Sequence, residues 1–223
     1  MTYSLDNILA VLKKKGYPIQ EEDTKPYNLN LVGIRAHPGV PNTFDDTMAV
    51  LWKFSGYWFL RSFPMTTEPG KYWLNNPINI EGTAIIKEGY YSNVWEMGLH
   101  RGEYLALKQV GNMTYFRDND KDSLPEIDGM KEYTGIIGAN CHRANANGQS
   151  IQVDKWSAAC QVLQNKQINN PDNQMVRVFE FDYFIHLCKQ QVDIAQRNKF
   201  NYALINQKDF LSLPAKPTTR PGA

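Results

Sequence analysis

Between residues 4 and 15, Leu5, Ile8, Leu9, Val11 and Leu12 recur at the three- and four-residue spacing of a helix with one apolar face. Gly16 follows as a C-terminal stop, so a short N-terminal helix is predicted. Residues 19–26 are polar and end in Pro26, which sets 1–26 apart as helix and connector. From Tyr27 to about Gln164 the texture changes to short runs rich in Val, Ile, Tyr, Phe and Trp, punctuated by Gly, Pro, Asn and Asp. That pattern predicts a mainly β (α+β) body, a sandwich or barrel spanning 27–170.

Strands are expected at 47–52 and 57–63, joined through Ser55-Gly56, and at 82–86, 104–110, 113–117, 136–142 and 160–163. After Pro171, the residues Phe181, Phe184, Leu187, Cys188, Val192 and Ala195 fall largely on one face and predict a helix over 179–197. Residues 200–205 alternate like a closing strand, so 171–213 reads as a helix and strand packed on the same core. The Pro-rich stretch 214–223 reads as a flexible tail or partner-dependent arm.

The chain has 24 Lys and Arg against 23 Asp and Glu, with the basic residues scattered apart from Lys13, Lys14 and Lys15. It lacks the basic footprint of a nucleic-acid binder, and no apolar run is long enough to cross a bilayer. The basic cluster follows the apolar stretch at the N-terminus, the reverse of a secretory signal, so the expected location is the cytoplasm of the producing cell. Three cysteines, Cys141, Cys160 and Cys188, are too few for a disulfide framework, and no CxxC pair suggests zinc. No metal or organic cofactor is expected.

The segment from Gly138 to Val162 carries the chemistry: a strand ending in His142, a polar loop, and a turn of small residues delivering Cys160. An imidazole beside a thiol stabilises the thiolate and lowers its pKa, and backbone N–H groups near Ala158, Ala159 and Cys160 could hold an oxyanion. Alternation along the strand predicts that Cys141 faces away from His142. A buried, inert cysteine remains the bland alternative for all three.

In this segment His142, Ser157 and Cys160 resemble the active-site motif of the L,D-transpeptidase (YkuD-like) catalytic domain, with Cys160 18 residues after His142. The upstream run Thr66-Thr67-Glu68-Pro69-Gly70-Lys71-Tyr72 is similar to that family's Thr-Pro-x-Gly turn, and the order along the chain agrees. The resemblance implies a YkuD-like sandwich or barrel, Cys160 as nucleophile, His142 as base and the Arg143 carbonyl as the acceptor orienting the imidazole. It further implies substrate contacts near Ala159, His100 and Trp156. The sequence departs from the pattern at Ala159, where the family has Gly, and at Ala158, Arg143 and Gln161-Val162. An Ala in that turn is easy only if its φ is negative.

The neighbouring runs Asp45-Asp46-Thr47, Gly98-Leu99-His100 and Arg117-Asp118-Asn119-Asp120 resemble a subgroup frequent in tailed phages and prophages. The implied activity is thioester-forming cleavage or transfer of peptidoglycan stem peptides, with hydrolysis favoured and other virion proteins as further partners. The alternative is a non-catalytic virion or cell-wall-binding protein of the same fold. A papain-like protease is disfavoured because there the Cys precedes the His.

Other features rank lower. His100 reads as structural, and His37 and His186 have no partner recognisable in the sequence. Residues 118–122 lack the Gly and Glu of a calcium loop and read as a solvated acidic turn. Tyr57, Trp58, Tyr90, Tyr91 and Trp95 would form a glycan platform if exposed, but aromatic-rich strands are more often core.

Overall fold

A computed structural model describes residues 3–213. The elements in chain order are α1 (Leu5–Lys14), β1 (Asn30–Arg35), β2 (Asp46–Phe54), β3 (Tyr57–Thr66), α2 (Lys71–Asn75), β4 (Thr83–Ile86), β5 (Gly89–His100), β6 (Tyr104–Gln109) and β7 (Met113–Asp118). There follow β8 (Tyr133–Gly135), β9 (Cys141–Arg143), β10 (Gln161–Leu163), β11 (Gln167–Asn170), β12 (Asn173–Phe179), α3 (Glu180–Asp193), β13 (Phe200–Asn206) and a 3₁₀ turn at Gln207–Ser212. The fold is mainly β, as expected. The expected tail, 214–223, lies outside the described residues.

Eight strands close a barrel in the order β1-β13-β5-β6-β9-β10-β3-β2, so no edge of that sheet stays unpaired. Most neighbours are antiparallel; β1 with β13 and β9 with β10 are parallel. A three-stranded sheet, β4-β7-β8, and a two-stranded arm, β11-β12, are separate from it. The 170/171 boundary falls in the turn of that arm, and β13 is a stave of the barrel rather than an addition to it.

Alternation explains why β1 is buried on both faces. Leu31 joins the main core, whereas Val32 and Ile34 pack with Ile8, Val11 and Leu12 of α1. Ser4 caps α1 by accepting from the Asn7 N–H at 3.3 Å. On the inward side Gly33 leaves room for Tyr202, whose hydroxyl would lie 1.9 Å from any Cβ placed there. Phe181, Phe184, Leu187 and Cys188 of α3 enter the same main core.

Several expectations need correction. The strand expected at 136–142 forms only at its end, as β9 from Cys141; residues 136–140 belong to no strand, and Gly138 at φ +77° turns the chain there. The helix expected over 179–197 stops at Asp193, and β12 occupies residues up to Phe179. Asp118 of the acidic turn is buried, and its carboxylate accepts from the Asp120 and Glu126 N–H groups at 3.4 and 3.1 Å. Of the aromatics, Trp95 and Tyr91 are core residues, in line with the core reading, and Tyr57 is exposed on the β2–β3 hairpin.

Candidate active site

Parallel pairing of β9 with β10 sets Gln161 opposite Cys141 and Val162 opposite His142. Continued one step back, this register puts Cys160 level with Asn140, so Cys160 and His142 share a face on a diagonal of adjacent strands. Cys141 takes the opposite face and lies in the main core. Cys188 is also buried there, and burial pushes both thiols well above the ordinary value.

The turn ahead of Cys160 is fixed by backbone bonds. The Ser157 hydroxyl donates to the Cys160 carbonyl at 2.8 Å, and the Ser157 carbonyl accepts from the Gly70 N–H at 2.8 Å. The upstream turn at 66–72 is thereby tied to the turn that presents the thiol. Ala159 is not among the residues with positive φ, so its Cβ is accommodated without backbone strain. Among the described residues, the Ala159 and Cys160 N–H groups meet no acceptor and remain available as donors.

His142 is 5% exposed, and its Nδ1 lies 2.7 Å from the Arg143 carbonyl. A carbonyl only accepts, so Nδ1 carries the hydrogen and Nε2 keeps its lone pair. The His100 ring stacks on His142 with centroids 4.4 Å apart, and Tyr104 Oη lies 3.5 Å from Nδ1. Asn140 Nδ2 donates to His100 Nδ1 at 3.3 Å, fixing the tautomer of that ring as well. The Arg143 guanidinium sits 3.9 Å above the Tyr104 ring centre.

Burial favours the neutral form of both groups, against the expected lowering of the thiol pKa. Burial pushes His142 down to about 3, with His100, Arg101 and Arg143 adding to the fall against the Arg143 carbonyl bond. Burial likewise pushes the Cys160 thiol up to about 11 against the Asn140 N–H and the nearby Arg101. The thiol donates to the Gly138 carbonyl at 3.5 Å, and no hydrogen bond joins Cys160 to His142 among the described residues.

Cys160 opens on a cleft of about 480 Å³. Ala158, Ala159, Gly138, Asn140 and His100 line the wall next to the thiol. Arg101, Arg117, Trp73 and Ile78 line the rest, and no carboxylate lines it. The Arg117 Nη1 donates to the Gly82 carbonyl at 2.8 Å, while its buried Nε has no hydrogen-bond partner among the described residues. The nearest carboxylate oxygen, on Glu81, stands 3.9 Å from that nitrogen.

Of the anticipated residues, Cys160, Ala159 and His100 line the cleft, whereas His142 and Ser157 stand behind it. Trp156 faces a different cavity with Tyr72 and Lys155. Sequence reasoning gave no site role to Trp73, Arg101, Arg117 or Asn140: α2, the β5–β6 turn and β7 bring the first three from distant stretches of chain, whereas Asn140 lies in the segment already singled out. His186 has partners after all: Asp172 Oδ2 at 3.9 Å and the Tyr183 ring. Among the described residues, no cluster of three His, Cys, Asp or Glu side chains could hold a metal ion, and no helix is long and apolar enough to cross a membrane. No family model, curated protein or solved structure matches the chain.

Proposed function

We propose that this chain is a cysteine acyl-transfer enzyme of the L,D-transpeptidase (YkuD-like) kind, phage-encoded and acting on peptidoglycan stem peptides. The observation that carries the reading is the arrangement at the thiol. Cys160 opens on a cleft beside unbonded backbone N–H groups, and His142 on the adjacent strand is oriented by the Arg143 carbonyl.

Substrate brings Sγ and Nε2 into proton-transfer reach, since catalytic hydrogen bonds tighten on binding. His142 Nε2 takes the thiol proton as Sγ bonds to the carbonyl carbon, and the Ala159 and Cys160 N–H groups hold the oxyanion. The C–N bond then breaks, the imidazolium returns its proton to the leaving amine, and a thioester remains. Water releases the acid, or an acceptor amine forms a new amide. A neutral starting pair suits this course, because charge appears only as the bond forms. The cleft's two guanidiniums suit stem peptides, which carry carboxylates close to the bond cut.

Purified tetrapeptide muropeptides, incubated with an excess of a D-amino acid and analysed by mass spectrometry, test the assignment. Hydrolysis products are expected to exceed exchange products, and Cys160→Ala is expected to abolish both. Exchange-dominated products would overturn the hydrolase choice; undiminished turnover by Cys160→Ala would overturn the mechanism.

One observation favours a second reading, a non-catalytic wall-binding or virion protein. No hydrogen bond joins the thiol to the imidazole among the described residues, and the thiol donates to the Gly138 carbonyl instead. Retention on purified sacculi without release of any product by wild-type protein would select it.

A further inference from the structure

Helix α2 borders two cavities. Trp73 lines the cysteine cleft, and its Nε1 donates to the Lys155 carbonyl at 3.0 Å. Tyr72, Asn75, Asn76, Asp154, Lys155 and Trp156 line the second cavity, of about 580 Å³.

The floor of this second cavity is rigid. Asn42 Oδ1 accepts from the Asp154 and Lys71 N–H groups at 2.7 and 3.0 Å, and its Nδ2 donates to Asp154 Oδ1 at 2.8 Å. Asn42 and Asp154 both take positive φ, 64° and 39°, conformations that cost energy outside glycine and persist only when their surroundings hold them. Gly70 packs so tightly on Asp154 that an added Cβ would lie 2.2 Å from its carbonyl oxygen. The Asp154 and Trp156 side chains therefore project from a fixed base.

Trp156 is 42% exposed and Tyr72 38% exposed, and neither belongs to a hydrophobic core cluster. Among the described residues, the Trp156 Nε1–H has no acceptor, and Asp154 Oδ2 and Asn75 Oδ1 receive no donor. The Lys155 ammonium sits 4.3 Å over the Tyr72 ring, covering that face and leaving the indole as the open platform.

A pyranose ring has an apolar C–H face and a polar rim of hydroxyls, which complements a bare indole flanked by fixed acceptors. We infer that this cavity binds a glycan chain, which on the proposed function is the amino-sugar strand of peptidoglycan, with Trp156 stacking on one ring and Asp154 and Asn75 accepting from its hydroxyls. A glycan held here lies against the same helix that lines the cysteine cleft, so its peptide branches have a short path to Cys160. The binding itself does not depend on Cys160 chemistry.

Chitotetraose is the probe, titrated into the full chain with calorimetry and with nitrogen-edited NMR of the indole N–H groups. Saturable binding is expected, with the Trp156 indole signal shifting and Trp156→Ala weakening affinity by about tenfold or more at an unchanged melting temperature. Asp154→Asn keeps the Asn42 bond and is expected to weaken binding less. Cys160→Ala is expected to bind as wild type does, so a failed enzyme reading leaves this result standing. Absence of binding at millimolar chitotetraose would overturn the inference, and so would equal binding by Trp156→Ala. If Trp156→Ala does not fold, a wild-type titration in which the Trp156 indole signal stays still overturns it.

Discussion

His100 lies flat on His142, with 4.4 Å between ring centres and 24° between planes. The contact covers the base on one side while the Arg143 carbonyl fixes the hydrogen on the other. Both effects leave Nε2 as a neutral proton acceptor. His100→Ala uncovers the imidazole, so the His142 pKa is expected to rise from about 3 toward the ordinary histidine value. A carbon-detected NMR titration of His142 checks this, and an unmoved titration would deny the covering role.

Alkylation of Cys160 should follow its raised pKa. The rate with iodoacetamide is expected to climb from pH 8 to about 11 without levelling near neutrality. Cys141 and Cys188, in the core, are expected to stay unlabelled until the protein unfolds. Peptide mass mapping across the pH series reads all three, and a plateau near pH 7 at Cys160 would mean an activated thiolate at rest.

Gly33 connects the far wall of the barrel to the site. Tyr202 fills the space above it and donates to Gln161 Oε1 at 2.6 Å, and Gln161 directly follows Cys160. Gly33→Ala is expected to destabilise the fold by about 1–3 kcal/mol or more through overpacking. Tyr202→Phe leaves a buried amide oxygen without its donor and is expected to cost about 1–3 kcal/mol. Urea unfolding of both variants gives these values.

Two carboxylates set an opposing pH dependence. Burial raises Glu68 and Glu180 to about 7, above their unfolded values near 4.5. The folded chain then binds more protons between about pH 4.5 and 7, and this contribution to stability is lost as pH rises through that window. His142 acts with the other sign, since the unfolded chain binds its proton first between about pH 6.5 and 3, so stability falls as pH falls there. Glu68→Gln is expected to flatten the alkaline side of the melting-temperature profile and leave the acidic side in place.

Local turn chemistry made part of the fold legible. The β2–β3 hairpin follows from two alternating runs around Ser55-Gly56, and α1 follows from its apolar face and Gly16. Strand β5 was not anticipated, although it is 12 residues long, because Ser92, Asn93 and Glu96 interrupt its apolar run and Asn93 takes positive φ. The arm β11-β12 is mostly polar and exposed, so no hydrophobic alternation announced it. At the site, Cys160 and His142 stand close in sequence. Arg117 and Trp73 reach the cleft only through the pairing of β4 with β7 and the placement of α2, and no local pattern encodes that.

Strand β13 sits between β1 and β5 and is the last barrel strand to come in sequence among the described residues. During synthesis, every other stave leaves the ribosome before the one that seals the barrel. Until residues 200–206 emerge, β1 and β5 each present an unpaired edge, and Gln161 lacks the Tyr202 hydroxyl beneath the cysteine turn. Closure is therefore a late, long-range event, and chains cut short before Phe200 carry two open sheet edges apt to pair with other chains.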